Sequence, residues 1–127
     1  MQEGDLCSFR SGDGSYAVAK VLKLESGVVH VRVYAKKYAE RPAEMPDEDL
    51  YLGTVFDDDF GLGHLPLDAE TFEKWEPELI RHTAVEPEEL EGYEIWRDAE
   101  DEGAGGVWGG AERQGIGAAL RRLLRRN

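Results

Sequence analysis

Three histidines, one cysteine and a run of three aspartates are the residues with which this chain could do chemistry. His30, His64 and His82 stand far apart along the sequence, none neighbours a cysteine, and no two have a metal-ligand spacing. Cys7 is the sole thiol, so no disulfide forms within the chain. It alternates with polar residues on an expected strand, the pattern of a small buried hydrophobe rather than of a reactive thiolate. Asp57-Asp58-Asp59 invites a metal reading. A calcium loop of the EF-hand kind needs oxygens at alternate positions, glycine at the sixth and glutamate at the twelfth. Counted from Asp57, those places hold Leu62 and Asp68, and the run reads instead as a solvated turn. Gly61-Leu62-Gly63 is not followed by the further glycine of a dinucleotide fingerprint. No nucleophile motif is present, and carboxylates are so abundant that any pair of them carries no signal. The expectation is a protein that is not an enzyme and uses neither metal nor cofactor.

The elements that would position these side chains centre on residues 4–35. Strands are expected over 4–10, 16–25 and 28–35, joined by a Gly/Asp turn at 11–15 and a two-residue turn at Ser26-Gly27. If the second loop is those two residues, partners have numbers that sum to 53. Leu24 then faces Val29 and Leu22 faces Val31 on an apolar side. Lys23 faces His30 and Val21 faces Arg32 on a mixed side, which makes His30 a surface residue. Lys20 opposite Val33 interrupts the pattern and marks a bulge or the end of the buried zone.

Downstream, residues 39–49 hold Pro42, Pro46 and the carboxylates Glu40, Glu44, Asp47, Glu48 and Asp49, a loop by composition. A fourth strand is expected over 50–56, with Gly53 as a bulge. Asp68 is placed to cap a helix over 69–75, with Leu67 and Phe72 as a hydrophobic staple and Pro77 as its stop. A fifth strand is expected over 79–85. Pro87 then opens a second helix whose first turn is acidic. Its apolar stripe is Leu90, Tyr93 and Trp96 or Arg97, its other face is acidic, and it runs into the charged stretch 98–102. Residues 103–110 contain five glycines, a linker composition, and 111–126 return to helical periodicity with Ile116, Leu120, Leu123 and Leu124 on one stripe. The expected class is α+β, mainly β. It is a small antiparallel, SH3-like, partly open barrel of about five strands over 1–102, with two short helices, a linker over 103–110 and a basic amphipathic helix over 111–127.

Charge bounds the partners. The chain carries −12 in 127 residues, but 111–127 hold five arginines and one glutamate, so the first 110 residues carry −16. Such a body disfavours a phosphate backbone. It suits a basic protein, met by Glu44, Asp47, Glu48, Asp49, Asp57, Asp58 and Asp59, with Tyr16, Tyr34, Tyr38, Tyr51 and Trp75 as contact or core aromatics. The tail reads separately. Arg121, Arg122, Arg125 and Arg126 would let it bind nucleic acid or an anionic membrane, join two protomers, or fold back on the body. An acidic N-terminus without an apolar leader, one cysteine and no long apolar run favour the cytoplasm.

Gly4-Asp5, Gly12-Asp13-Gly14-Ser15-Tyr16 and Val21-Leu22 resemble the opening of small bacterial β-rich immunity proteins, in particular the group called immunity protein 26, and more loosely SH3-like barrels. The likeness covers 4–35, about a quarter of the chain. That group places a glycine between Tyr16 and Val21, where this chain has Ala17-Val18-Ala19-Lys20. The resemblance implies an acidic inhibitor that binds and neutralises a basic toxin, with no catalytic residues to carry over.

Overall fold

In a computed structural model, residues 1–54, 56–57, 60–101 and 106–107 are described. They fold mainly as β: strands β1 (Asp5–Arg10), β2 (Tyr16–Glu25), β3 (Val28–Val33), β4 (Leu62–Asp68) and β5 (Glu78–His82), with helices α1 (Ala69–Lys74) and α2 (Glu91–Asp101). The strands make one open antiparallel sheet in the order β4-β3-β2-β1-β5. The first four form a meander, and β5 returns to pair beside β1. The linker and basic helix expected over 103–127 lie outside the described residues, apart from Gly106 and Val107.

The hairpin forms where the turn chemistry puts it. Ser26 and Gly27 both have positive φ, 52° and 79°, as the hairpin turn that matches strand twist requires. Leu24 pairs with Val29 and Lys23 with His30, as the two-residue loop dictates. The register then shifts between Val21 and Lys23. Leu22 is the extra residue, so Val21 faces Val31, Lys20 faces Arg32 and Ala19 faces Val33. The bulge corrects the expected pairings of Leu22, Val21 and Lys20, and its effect is to put valine opposite valine on the core side. Ser26 is an L-residue held in the left-handed region. Ser26→Asn is therefore expected to raise stability by up to about 1 kcal/mol, read as a higher urea midpoint at unchanged slope.

Alternation along the strands divides the interior in two. Cys7, Phe9, Ala17, Ala19, Val21, Val29, Val31, Leu65 and Leu67 point to one side and are closed over by Phe72, with Trp75 packed against them. The Asp68 side chain accepts from the Thr71 N–H at 2.7 Å and starts α1, so the expected cap forms, and Leu67 and Phe72 belong to the same core cluster. Leu6, Val18, Tyr34 and Met45 lie on the other side, supported by Leu50, Leu52 and Ile80. The sheet is thus covered on both faces, and the side expected to be mixed and solvated is buried where α2 crosses it.

The expected fourth strand over 50–56 is not one. Gly53 takes a positive φ of 66°, and the described part of the segment is irregular backbone. It still runs beside the sheet, since the Ala35 N–H donates to the Tyr51 carbonyl at 2.8 Å and the Gly61 N–H donates to that of Leu52 at 2.6 Å. The strand that pairs with β3 is β4, in which Pro66 sits opposite His30. Proline is tolerated there because β4 is an edge and the missing N–H breaks no ladder. Among the described residues no helix is long and apolar enough to cross a membrane.

Candidate functional site

The structure brings together two residues that the sequence keeps 34 positions apart. His30 on β3 and His64 on β4 stack, with ring planes 13° apart and His30 Nδ1 2.8 Å from His64 Nε2. His30 is fully buried, not outward-facing, because α2 lies over it. Tyr93 and Trp96 meet its ring edge-on, with centroids at 4.8 and 4.6 Å. The residues that make α2 amphipathic, Tyr93 and Trp96 one turn apart, are the ones that cover the pair. His82 is separate: its Nδ1 lies 2.8 Å from Asp5 Oδ1, tying β5 to β1.

The N···N contact holds one proton. Whichever ring donates, the other accepts, and two imidazolium rings would set N–H against N–H. Burial and the neighbouring His30 ring push His64 down to about 4, and burial also pushes His30 below the usual imidazole value. Both rings are therefore neutral near pH 7. His30 Nε2 is buried without a hydrogen-bond partner among the described residues. Around the pair, Tyr93 donates its hydroxyl to the Glu25 carboxylate, the Lys23 ammonium sits over the Tyr93 ring at 5.8 Å, and the Trp96 N–H donates to the Gly106 carbonyl at 2.6 Å.

A second anchor fixes the start of this helical segment. Lys20 is only 6% exposed, and its ammonium donates to the Ala84 carbonyl at 2.6 Å and to Glu89 Oε1 at 2.8 Å. Glu89 also accepts from the Glu86 N–H at 2.9 Å, closing the turn that Pro87 opens. Close approach of α2 to β4 depends on Gly92, where an added Cβ would stand 2.6 Å from His64 Cβ. On an unencumbered helix Gly→Ala stabilises by about 1 kcal/mol. Here Gly92→Ala is expected to destabilise by about 1–2 kcal/mol, since overpacking outweighs propensity. The sign of the change in urea unfolding is the check.

With its inner face held, α2 presents an outer face of fixed geometry. Ile95 is 64% exposed and is flanked within one turn by Glu91, Glu94 and Asp98, all exposed. None of these three carboxylates has an ion pair among the described residues. The acidic residues singled out from the sequence are placed differently. Asp47 pairs with Arg81 at 2.7 Å and Asp49 with Lys36 at 3.1 Å, so these two are neutralised within the fold, whereas Glu40, Glu44 and Glu48 of that loop stand exposed without an ion pair among the described residues. Asp57 accepts from the Thr54 N–H at 2.7 Å and closes its own turn. Asp58, Asp59, Arg121, Arg122, Arg125 and Arg126 lie outside the described residues. Of the aromatics, Tyr34 is core, Tyr51 is exposed, and Trp75 stacks on Phe9 at 4.4 Å.

Cys7 is buried, and burial raises its thiol to about 12, which makes it inert packing. No three His, Cys, Asp or Glu side chains among the described residues converge on a point that would hold a metal ion. Comparison with protein-family models, with characterised proteins and with solved structures finds no match.

Proposed function

We propose that this chain is a non-catalytic binding module for a basic protein, and that the outer face of α2 is where the partner docks. One observation carries the reading: the exposed Ile95 is ringed by Glu91, Glu94 and Asp98, whose charges no described side chain neutralises. An apolar anchor inside a charged rim is the composition of a protein interface. The rim attracts a cationic partner and repels acidic competitors. Tyr93, Trp96 and the Lys20–Glu89 pair hold the helix in place beforehand, which lowers the ordering cost of binding. Glu44 and Glu48 extend the acidic surface on the loop. We read the strand meander as an SH3-like arrangement. With the resemblance of residues 4–35, the specific form of the proposal is an immunity-type inhibitor of a basic bacterial toxin.

The test is capture from the native host with the whole chain and with a chain ending after residue 102, at low and high salt. The expected result is one basic protein retained by both chains at low salt and released at high salt. Nucleic acid or lipid retained by the whole chain alone would overturn the reading and move function to Arg121, Arg122, Arg125 and Arg126.

A further inference from the structure

On the side of the sheet away from α2 there is a cleft of about 340 Å³. Its apolar lining comes from Phe9, Val33, Phe60, Leu62, Leu65 and Trp75. Phe9 and Leu65 are buried and make the floor, whereas Phe60, Leu62 and Trp75 are half-exposed and make the sides. The stacked Trp75 and Phe9 rings give one side a flat aromatic surface. The volume is at the small end of the range for ligand sites, enough for a fused-ring body and too small for a folded partner.

The polar part of the lining is cationic in a chain of net −12. Arg10 and Lys37 both border the cleft. Neither has an ion pair among the described residues, and the Lys37 ammonium donates only to Ser11 Oγ at 3.2 Å. Asp13, whose carboxylate feels Lys37, is already held by the Ser15 N–H and hydroxyl. Two cations beside an apolar slot, neither in an ion pair among the described residues and only Lys37 near a carboxylate, that of the exposed Asp13, complement one class of molecule. We propose that the cleft binds a small amphiphilic anion, a carboxylate on a flat apolar body, with the rings between Trp75 and Phe60 and the carboxylate at Lys37 and Arg10.

The probe is 2-naphthoate, compared with neutral 2-naphthalenemethanol, titrated into the full chain and followed by amide and indole NMR shifts. Saturable shifts are expected at Phe9, Lys37, Leu62 and the Trp75 indole, with the anion bound more tightly than the alcohol. The double variant R10Q/K37M should weaken 2-naphthoate about tenfold, two partly exposed charge contacts of roughly 0.7 kcal/mol each, and change the alcohol by less than about twofold. Because the wild-type comparison needs no variant, poor folding of R10Q/K37M would not rescue the idea. Equal affinity for the two probes, shifts confined to other parts of the chain, or no saturable binding would each overturn it.

Discussion

Replacing Glu89 with alanine is expected to cost about 3–5 kcal/mol of folding stability. Lys20 lies in the middle of β2 with only 7% of its side chain exposed, and Glu89, itself 12% exposed, is the carboxylate within ion-pair reach among the described residues. Removing Glu89 leaves an ammonium in a low-dielectric site with only the Ala84 carbonyl to accept from it. It also frees the Glu86 N–H, which the same carboxylate caps. Removing both partners is a different experiment. The double variant K20M/E89L replaces the buried pair with apolar groups of similar size but still frees the Glu86 N–H and leaves Arg32, 3.9 Å from Glu89, without that carboxylate, so it should recover about half or more of the single-variant loss. Urea unfolding of the two single variants and the double, at pH 7 and constant salt, gives the coupling directly. If Glu89→Ala costs no more than an ordinary surface substitution, the segment carrying α2 is not anchored on the sheet as described.

Acid should weaken the fold before its carboxylates titrate. Folded His64 takes up its proton only near pH 4, and folded His30 also below the usual value, whereas an unfolded histidine protonates near 6.5. Between those limits the unfolded chain binds more protons than the folded one, so stability is complete above about pH 6.5 and falls as the pH drops toward 4. The gap between the folded and unfolded values makes the contribution of His64 alone roughly 3 kcal/mol over that window. The groups facing the pair do not cancel the effect. The Glu25 carboxylate favours the His30 cation, the Lys23 ammonium opposes it, and Tyr93 and Trp96 are neutral. Asp5, Glu25 and Glu89 are also held low, and their contributions are lost only as the pH falls below the ordinary carboxylate range. The double variant H30L/H64L should lose the slope between pH 6.5 and 4.5 and keep the loss below it. Thermal or urea unfolding at half-unit steps of pH checks this, and equal slopes in wild type and variant would contradict it.

The parts of this fold legible in the sequence are those decided within a few residues. Ser26-Gly27 dictates a hairpin, Asp68 caps α1 through Thr71, and Tyr93 and Trp96 mark the inner face of α2, all from spacings of three or fewer residues. What stays hidden depends on pairings made at a distance. Gly63 and Pro66 obscure β4, because they discount a strand anywhere but an edge, although Leu65 and Leu67 carry the alternation that reveals it. Without β4, His64 has no position, and its contact with His30 cannot be seen. Lys20 looks like a fault in the hairpin pattern. It is a buried cation whose counter-ion stands 69 residues on, in the first turn of a helical segment whose acidic start suggests solvent. The acidic loop misleads for the converse reason, since Asp47 and Asp49 look free but are neutralised by Arg81 and Lys36 from other parts of the fold.

Whether the outer face of α2 binds the partner is read most directly from affinity for the captured basic protein as a function of salt, in the wild type and in the charge-reversed variant E91K/E94K/D98K. All three positions are exposed and lie away from the buried face of α2, so the fold is expected to persist, which acid and urea unfolding can verify. Wild-type binding is expected to weaken steeply as salt rises, and the variant at low salt to bind at least about tenfold more weakly with little remaining salt dependence. A folded variant that binds as tightly as the wild type, with the same salt slope, would show that the outer face of α2 is not the binding surface.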